Sequence, residues 1–260
     1  MTILLMNLTV YPLLALLTLL TFVLFPPGFL LWRLFTPWPT KRIMRHFVWL
    51  YGQAWMWIVS PFVRFHLENM GAANIRPPCI VVTNHLSFFD TYCMAALPFS
   101  NVVFAVRAWP FKMPWYRPFM RLAQYLEVES WDWQLITARA RAEVATGGSL
   151  VFFPEGHRSR DGKMCRFYSG AFRLAIDTGI PVVPVCITGT QALLPFGSFC
   201  LHPARIHLRA LPAIDPRRFS GRRGYLGLLN TVREMMIRNV NDMTQATPQP
   251  GRPSPVSIST

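Results

Sequence analysis

Two textures divide the chain. From residue 3 to residue 32 almost every position is apolar, and no Lys, Arg, Asp or Glu appears before Arg33. That run is long enough to cross about 30 Å of hydrocarbon as a helix. Pro26, Pro27 and Gly28 are expected to kink or end it near its C-terminal end. A second apolar and aromatic segment covers residues 47–65, between Arg45 and Arg64. Its pattern is compatible with a span, a re-entrant or interfacial helix, or a buried core helix. From Pro77 onward, short β-branched runs alternate with helical stretches. Strands are expected at 80–83, 102–106, 126–128, 150–153, 182–187 and 206–210, and helices at 88–97, 115–124, 134–145, 171–177 and 226–241. Such alternation predicts an α/β fold, a mostly parallel mixed sheet flanked by helices. The chain then divides into N-terminal membrane-anchoring helices (1–65), an α/β domain (66–243) and a tail (244–260). The tail is rich in Pro, Gln, Ser and Thr and is expected to be disordered.

Composition sharpens the membrane reading. Of 260 residues 52% are hydrophobic and only 15% charged, yet the formal net charge is +14. A basic, apolar, aromatic-rich chain suits a surface of anionic lipid, where each basic residue contributes about 1 kcal/mol. A nucleic-acid partner is not expected, because the apolar excess is wrong for one and no nucleic-acid-binding motif is present. Arg33, Lys41, Arg42 and Arg45, the first charges after the apolar run, are all basic. The positive-inside rule puts them, and the domain that follows, on the cytoplasmic face of the cell (inner) membrane. Five cysteines with no C-x-x-C spacing predict reduced, buried, inert thiols.

Two polar motifs each follow an apolar strand, where α/β folds place their sites. The first is IVVTNHLSFFD, from Ile80 to Asp90. Its strand breaks at Asn84-His85, and Ser87-x-x-Asp90 is a helix-start pattern. Asp90, in the first helical turn, can point back at His85, and a histidine with a carboxylate in reach is a general base with its orienter. A polar turn residue beside a cap is the plain alternative, and one His with one Asp is too few ligands for a metal. The second motif is FFPEGHRSRDGK, residues 152–163, which sets Glu155 beside Arg158 and Arg160 in a glycine-containing loop. Arginines in such a loop suit capture of phosphate or carboxylate, and an exposed turn with weak surface ion pairs is the other reading.

Together, N-H-x-x-x-x-D and, some seventy residues later, F-P-E-G-x-R-S resemble the glycerolipid acyltransferase family of the lysophosphatidic acid acyltransferase type. Further blocks are similar too: Phe111 to Tyr116, Leu122 to Val128, the run Ser159, Asp161, Gly162, Phe167, Gly170 and Ala171, and Ile180 to Val185. The resemblance covers roughly residues 45–215. It implies transfer of an acyl chain from acyl-CoA or acyl-carrier protein to a lipid hydroxyl, the expected product being phosphatidic acid from 1-acyl-glycerol-3-phosphate. No cofactor or metal is implied, and oligomeric state is left open. By the resemblance His85 deprotonates the acceptor hydroxyl and Asp90 holds its tautomer. Asn84, Glu155, Gly156, Arg158 and Ser159 fall on the acceptor-binding blocks, and Pro184 shapes the acyl-donor pocket.

Two positions depart from the family pattern. An arginine expected at the end of the second block is Ser130, beside Glu129, and a threonine expected in the third block is His157. Loss of a charge-assisted phosphate contact is expected to weaken a phosphate-bearing acceptor by about 1.5–3 kcal/mol. Lys112, Arg117 or Arg121 are the cations at hand to compensate. Another lyso-acceptor, such as a lyso-ornithine or other aminolipid, another lysophospholipid or a glycolipid, therefore stands as the alternative. Thioester hydrolysis by the same base is a second.

Overall fold

In the computed structural model, which describes residues 1–246 apart from Trp115, Arg160 and Phe196, the apolar runs form one seven-stranded sheet. Its strands are β1 Val63–Glu68, β2 Ile80–Thr83, β3 Val102–Val106, β4 Leu126–Glu127, β5 Ser149–Phe152, β6 Val182–Thr188 and β7 Ala204–Ala210. They lie in the order β1-β7-β6-β2-β5-β3-β4, parallel throughout except for the antiparallel β6–β7 pair. The mostly parallel mixed sheet expected from the alternation is thus present. The central strands are covered on both faces, which is why β2 and β6 read as unbroken apolar runs. Ile80 and Val82 enter one core with Phe172 and Val232, while Val81 enters the other with Trp55 and Ile187.

Nine helices flank the sheet among the described residues: α1 Thr2–Phe35, α2 Thr40–Val59, α3 Asp90–Cys93, α4 Ala108–Lys112, α5 Arg117–Ala123, α6 Trp133–Ala145, α7 Gly170–Thr178, α8 Thr190–Leu193 and α9 Gly224–Ala246. The expected helix at 88–97 is shorter, since α3 tightens into a 3₁₀ turn at Met94–Ala96. The one expected at 226–241 runs on to Ala246, into the stretch expected to be disordered, and the remainder of that stretch, from residue 247, lies outside the described residues.

The second N-terminal segment differs from its expected bounds. Its helix, α2, begins at Thr40 and ends at Val59, and residues 63–65 belong to the edge strand β1. In β1 charged and apolar side chains alternate, a strand period that the neighbouring tryptophans mask. Helix α2 also buries Ile43, Met44, Gly52, Trp55 and Val59 against the rest of the chain, so it is docked on the domain. Among the described residues only α1 is long and apolar enough to cross a membrane.

Arg45 is not a surface charge at the end of a span. It is 1% exposed and donates to Glu143 Oε2 at 2.7 Å, Asn101 Oδ1 at 2.9 Å and the Ala123 carbonyl at 2.8 Å. Lys41 binds the other oxygen of Glu143. Two of the basic residues read as membrane-flanking charges are therefore structural. Burial pushes the Glu143 carboxyl up, and the hydrogen bonds from Arg45 and Lys41 outweigh it, leaving the group below the usual carboxylate range. The five thiols are unpaired, as expected, but only Cys79, Cys93 and Cys186 are buried. Burial pushes Cys79 up to about 11 and Cys186 to about 12, whereas Cys165 is half-buried and Cys200 exposed.

Candidate active site

Strands β2, β3, β5 and β6 run parallel through the middle of the sheet, so the loops after them gather at one edge. His85 follows β2, Lys112 ends the short helix after β3, the Glu155 loop follows β5 and Thr190 follows β6.

Asn84 makes the turn possible. Main-chain pairing of β2 with β6 stops at Thr83. Beyond it the Asn84 side-chain amide donates to the Ile187 carbonyl at 2.9 Å and accepts from the Ile187 N–H at 2.8 Å. The side chain so extends the ladder by one step while the backbone leaves it. Asn84 is buried, and its amide is committed to the sheet.

The turn sets His85 against Asp90. His85 Nδ1 lies 2.9 Å from Asp90 Oδ2, and the same oxygen accepts from the N–H groups of Leu86 at 2.6 Å and Ser87 at 2.8 Å. The expected Ser-x-x-Asp cap is half present, because the carboxylate reaches back while the Ser87 hydroxyl accepts from Phe89 instead. Asp90 Oδ1 accepts from Thr190 Oγ1 at 2.5 Å. Asp90 is fully buried and His85 19% exposed. Since a carboxylate only accepts, Nδ1 carries the proton and Nε2 keeps a lone pair. Nε2 has no hydrogen-bond partner among the described residues. The Phe153 ring packs on the imidazole at a centroid distance of 4.4 Å, fixing its plane.

Glu155 is buried too, and both its oxygens are used by backbone. Oε1 accepts from the His85 N–H at 2.8 Å and Oε2 from the Cys165 N–H at 2.7 Å. The Ser159 N–H donates to the His85 carbonyl at 2.8 Å, and the Ser159 hydroxyl donates to Asp161. The two motifs are thus stitched together through main-chain groups on both sides of His85. Gly156 turns with φ +68°, and a Cβ there would meet the Tyr168 ring at 2.9 Å. His157 and Arg158 stand on the exposed tip of this loop. Arg160 lies outside the described residues.

At the second-block departure both Glu129 and Ser130 have local partners. Glu129 accepts from Arg107 at 2.6 Å and from the Ala108 N–H at 3.0 Å, and the hydrogen bond from Arg107 holds its carboxyl below the usual range. Ser130 donates through its backbone and its hydroxyl to Glu127. Lys112 is exposed and its field helps lower Glu129. Pro184 is buried in β6 opposite Val82, and it lines neither of the clefts described below. Thr190 escaped sequence reasoning, since a threonine a hundred residues from Asp90 carries no signal of contact. Phe153 had a weak one: it immediately precedes the Pro-Glu-Gly turn.

Comparison with known proteins places these features. The acyltransferase family's sequence profile matches residues 63–188, which contain both motifs. A chloroplastic 1-acyl-sn-glycerol-3-phosphate acyltransferase of Brassica napus is 34% identical over 170 residues, 61% of this chain and 46% of that protein. The chain spans about half the length of that relative. An Escherichia coli protein of the same name is 39% identical over 67 residues, 26% of each chain. The crystal structure of the Thermotoga maritima 1-acyl-sn-glycerophosphate acyltransferase, PlsC, superposes with a TM-score of 0.71 at 25% identity, covering 97% of this chain and 98% of that one.

Proposed function

The chain belongs to the acyltransferase family, and on that premise we propose that it transfers an acyl chain from acyl-CoA or acyl-carrier protein to the free hydroxyl of 1-acyl-glycerol-3-phosphate, giving phosphatidic acid. The observation that carries the reading is the oriented imidazole, His85 with Nδ1 on the buried Asp90 and Nε2 unpartnered. Nε2 takes the acceptor's hydroxyl proton as its oxygen attacks the thioester carbonyl. The tetrahedral adduct collapses, the C–S bond breaks, and the imidazolium returns the proton to the leaving thiolate. Asp90 stays ionised and stabilises the imidazolium. Glu155 and Asn84 are positioning residues, since each side chain is already committed to main chain. Lys112, Arg158 and the loop at Gly156 and Ser159 remain on the acceptor side.

The acyl chain has a place to lie. A groove of about 640 Å³ runs between α1, α2 and α3, lined by residues such as Leu14, Phe22, Trp55, Phe88 and Tyr92. Phe88 is three residues from His85. The membrane support is α1, whose apolar side chains are largely exposed. The Asn7 amide bonds both the carbonyl and the N–H of Leu201, Tyr11 donates to the Phe199 carbonyl, and Met6 and Val10 are buried. Those ties favour a helix pair resting in one leaflet with the domain beside it over a helix that runs free across the bilayer, and the basic residues Arg33 and Arg42 support the cytoplasmic face of the inner membrane.

The test is acylation by membranes carrying wild type or His85→Ala, with acyl-CoA and a panel of lyso-acceptors. Loss of about 10²–10⁴-fold in the variant is expected, with 1-acyl-glycerol-3-phosphate the preferred acceptor. Equal activity of the two proteins overturns the mechanism. Ser130 in place of the family's arginine, with Glu129 beside it, favours a phosphate-free acceptor as the second reading, and a preference for lyso-ornithine lipid in the same panel selects it.

A further inference from the structure

A second cleft, of about 580 Å³, opens between residues 166–169 and helix α9, and its Tyr168 packs against Gly156 of the Glu155 loop. Its character is opposite to that of the lipid groove. Arg166 and Arg233 face it with Asn230, the rings of Tyr168 and Tyr225 form walls, and none of its lining residues is acidic. Ser169 sits at the start of α7 without making a cap bond, so its hydroxyl remains available as a donor. Arg173 lies over the rings of both Trp133 and Tyr225, bracing one wall. Neither α1 nor α2 contributes a lining residue, so the cleft is away from the elements that hold lipid.

The cleft is nevertheless wired to the catalytic turn. Arg233 Nε donates to the Cys165 carbonyl at 3.3 Å, the Cys165 N–H donates to Glu155, and Glu155 accepts from the His85 N–H. Paired guanidinium groups with a spare hydroxyl and aromatic walls are what a phosphate ester on an aqueous ligand requires. Of the two substrates, only the donor is water-borne, and both donor types carry their thioester on a phosphopantetheine arm. We propose that this cleft receives the phosphate groups of the acyl-thioester donor, with Arg166 and Arg233 as the binding cations, an inference that rests on the acyl-transfer reading above. The arm then passes the Glu155 loop to bring its thioester to His85, while the acceptor approaches from the lipid side.

Full-length protein in detergent or nanodiscs, with Arg166→Gln, Arg233→Gln and the double variant, provides the test. Arg166 is exposed and has no hydrogen-bond partner among the described residues, so its replacement leaves the fold intact; Arg238→Gln, on α9 but outside the cleft, is the control. Each cleft variant is expected to raise KM for acyl-CoA about tenfold or more, with the acceptor KM unchanged and, for Arg166→Gln, kcat unchanged as well, and to weaken binding of desulfo-CoA in parallel. Acylated carrier protein as donor separates the sources: loss with both donors assigns the arm's own phosphate, and loss with acyl-CoA alone assigns the nucleotide phosphates. An unchanged donor KM, or a rise confined to the acceptor KM, overturns the proposal. Failure of the acyl-transfer reading is distinct, because then wild type acylates no lysolipid while the desulfo-CoA measurement still reads the cleft.

Discussion

The backbone N–H of His85 donates to Oε1 of Glu155 at 2.8 Å, so the carboxylate of the second motif holds the histidine of the first from behind. With Oε2 on the Cys165 N–H, both carboxylate oxygens are tied to main chain. Glu155→Gln places one N–H₂ against a backbone donor. It is expected to cost about 1–3 kcal/mol of stability and to lower kcat with little change in acceptor KM. Thermal unfolding together with steady-state kinetics checks both.

Asp90 gathers three donors on one oxygen and the Thr190 hydroxyl on the other. Asp90→Asn must turn an amide N–H₂ toward one of those donors, and it permits the wrong imidazole tautomer. A fall in kcat of about 10²–10⁴-fold is expected. Thr190→Val removes one neutral donor to a charged acceptor and should cost about tenfold. A double-mutant cycle should show the two effects to be non-additive.

The pair of Arg45 and Glu143 gives stability a pH dependence of known sign. The Glu143 carboxyl titrates below its unfolded value, so the folded state gains from its ionisation at pH above the unfolded carboxylate value of about 4.3. That contribution is lost as the pH falls through the folded value. Glu143→Gln is therefore expected to destabilise at pH 7 and to show a weaker further loss on acidification than wild type. Arg45→Ala leaves Glu143 with Lys41 alone and is expected to cost about 3–5 kcal/mol. Denaturant melts at neutral and acid pH test both variants.

Gly52 of α2 packs against the 3₁₀ turn that follows α3, and a Cβ there would meet the Ala95 Cβ at 2.6 Å. Gly52→Ala is expected to cost about 1–3 kcal/mol through overpacking. Gly71→Ala, with open space around it, serves as the neutral control. Comparison of melting temperatures separates them.

What was legible in the sequence followed from periodicity and local chemistry. β2 and β6 declared themselves because strands buried on both faces must be apolar throughout, and the His85–Asp90 pair followed from a strand-to-helix turn only six residues long. Edge strand β1 was hidden by the tryptophans of α2, since aromatic content masked the change from helix period to strand period. Arg45 was misread for a related reason: a charge after an apolar run signals a membrane flank unless a distant acid, Glu143, draws it inward. Thr190 lies a hundred residues from Asp90 and the Cys165 amide ten from Glu155, and no local pattern marks either contact.

The amide of Asn84 stands in for a peptide group, and this gives the molecule a built-in reporter. The N–H of Ile187 lies near the carboxyl end of the central strand β6, and its acceptor is a side chain of the catalytic turn. Its solvent exchange should therefore follow the opening of that turn, while the N–H groups bonded within the ladder follow the sheet. A single backbone amide would read out whether His85 is in place without substrate, label or substitution.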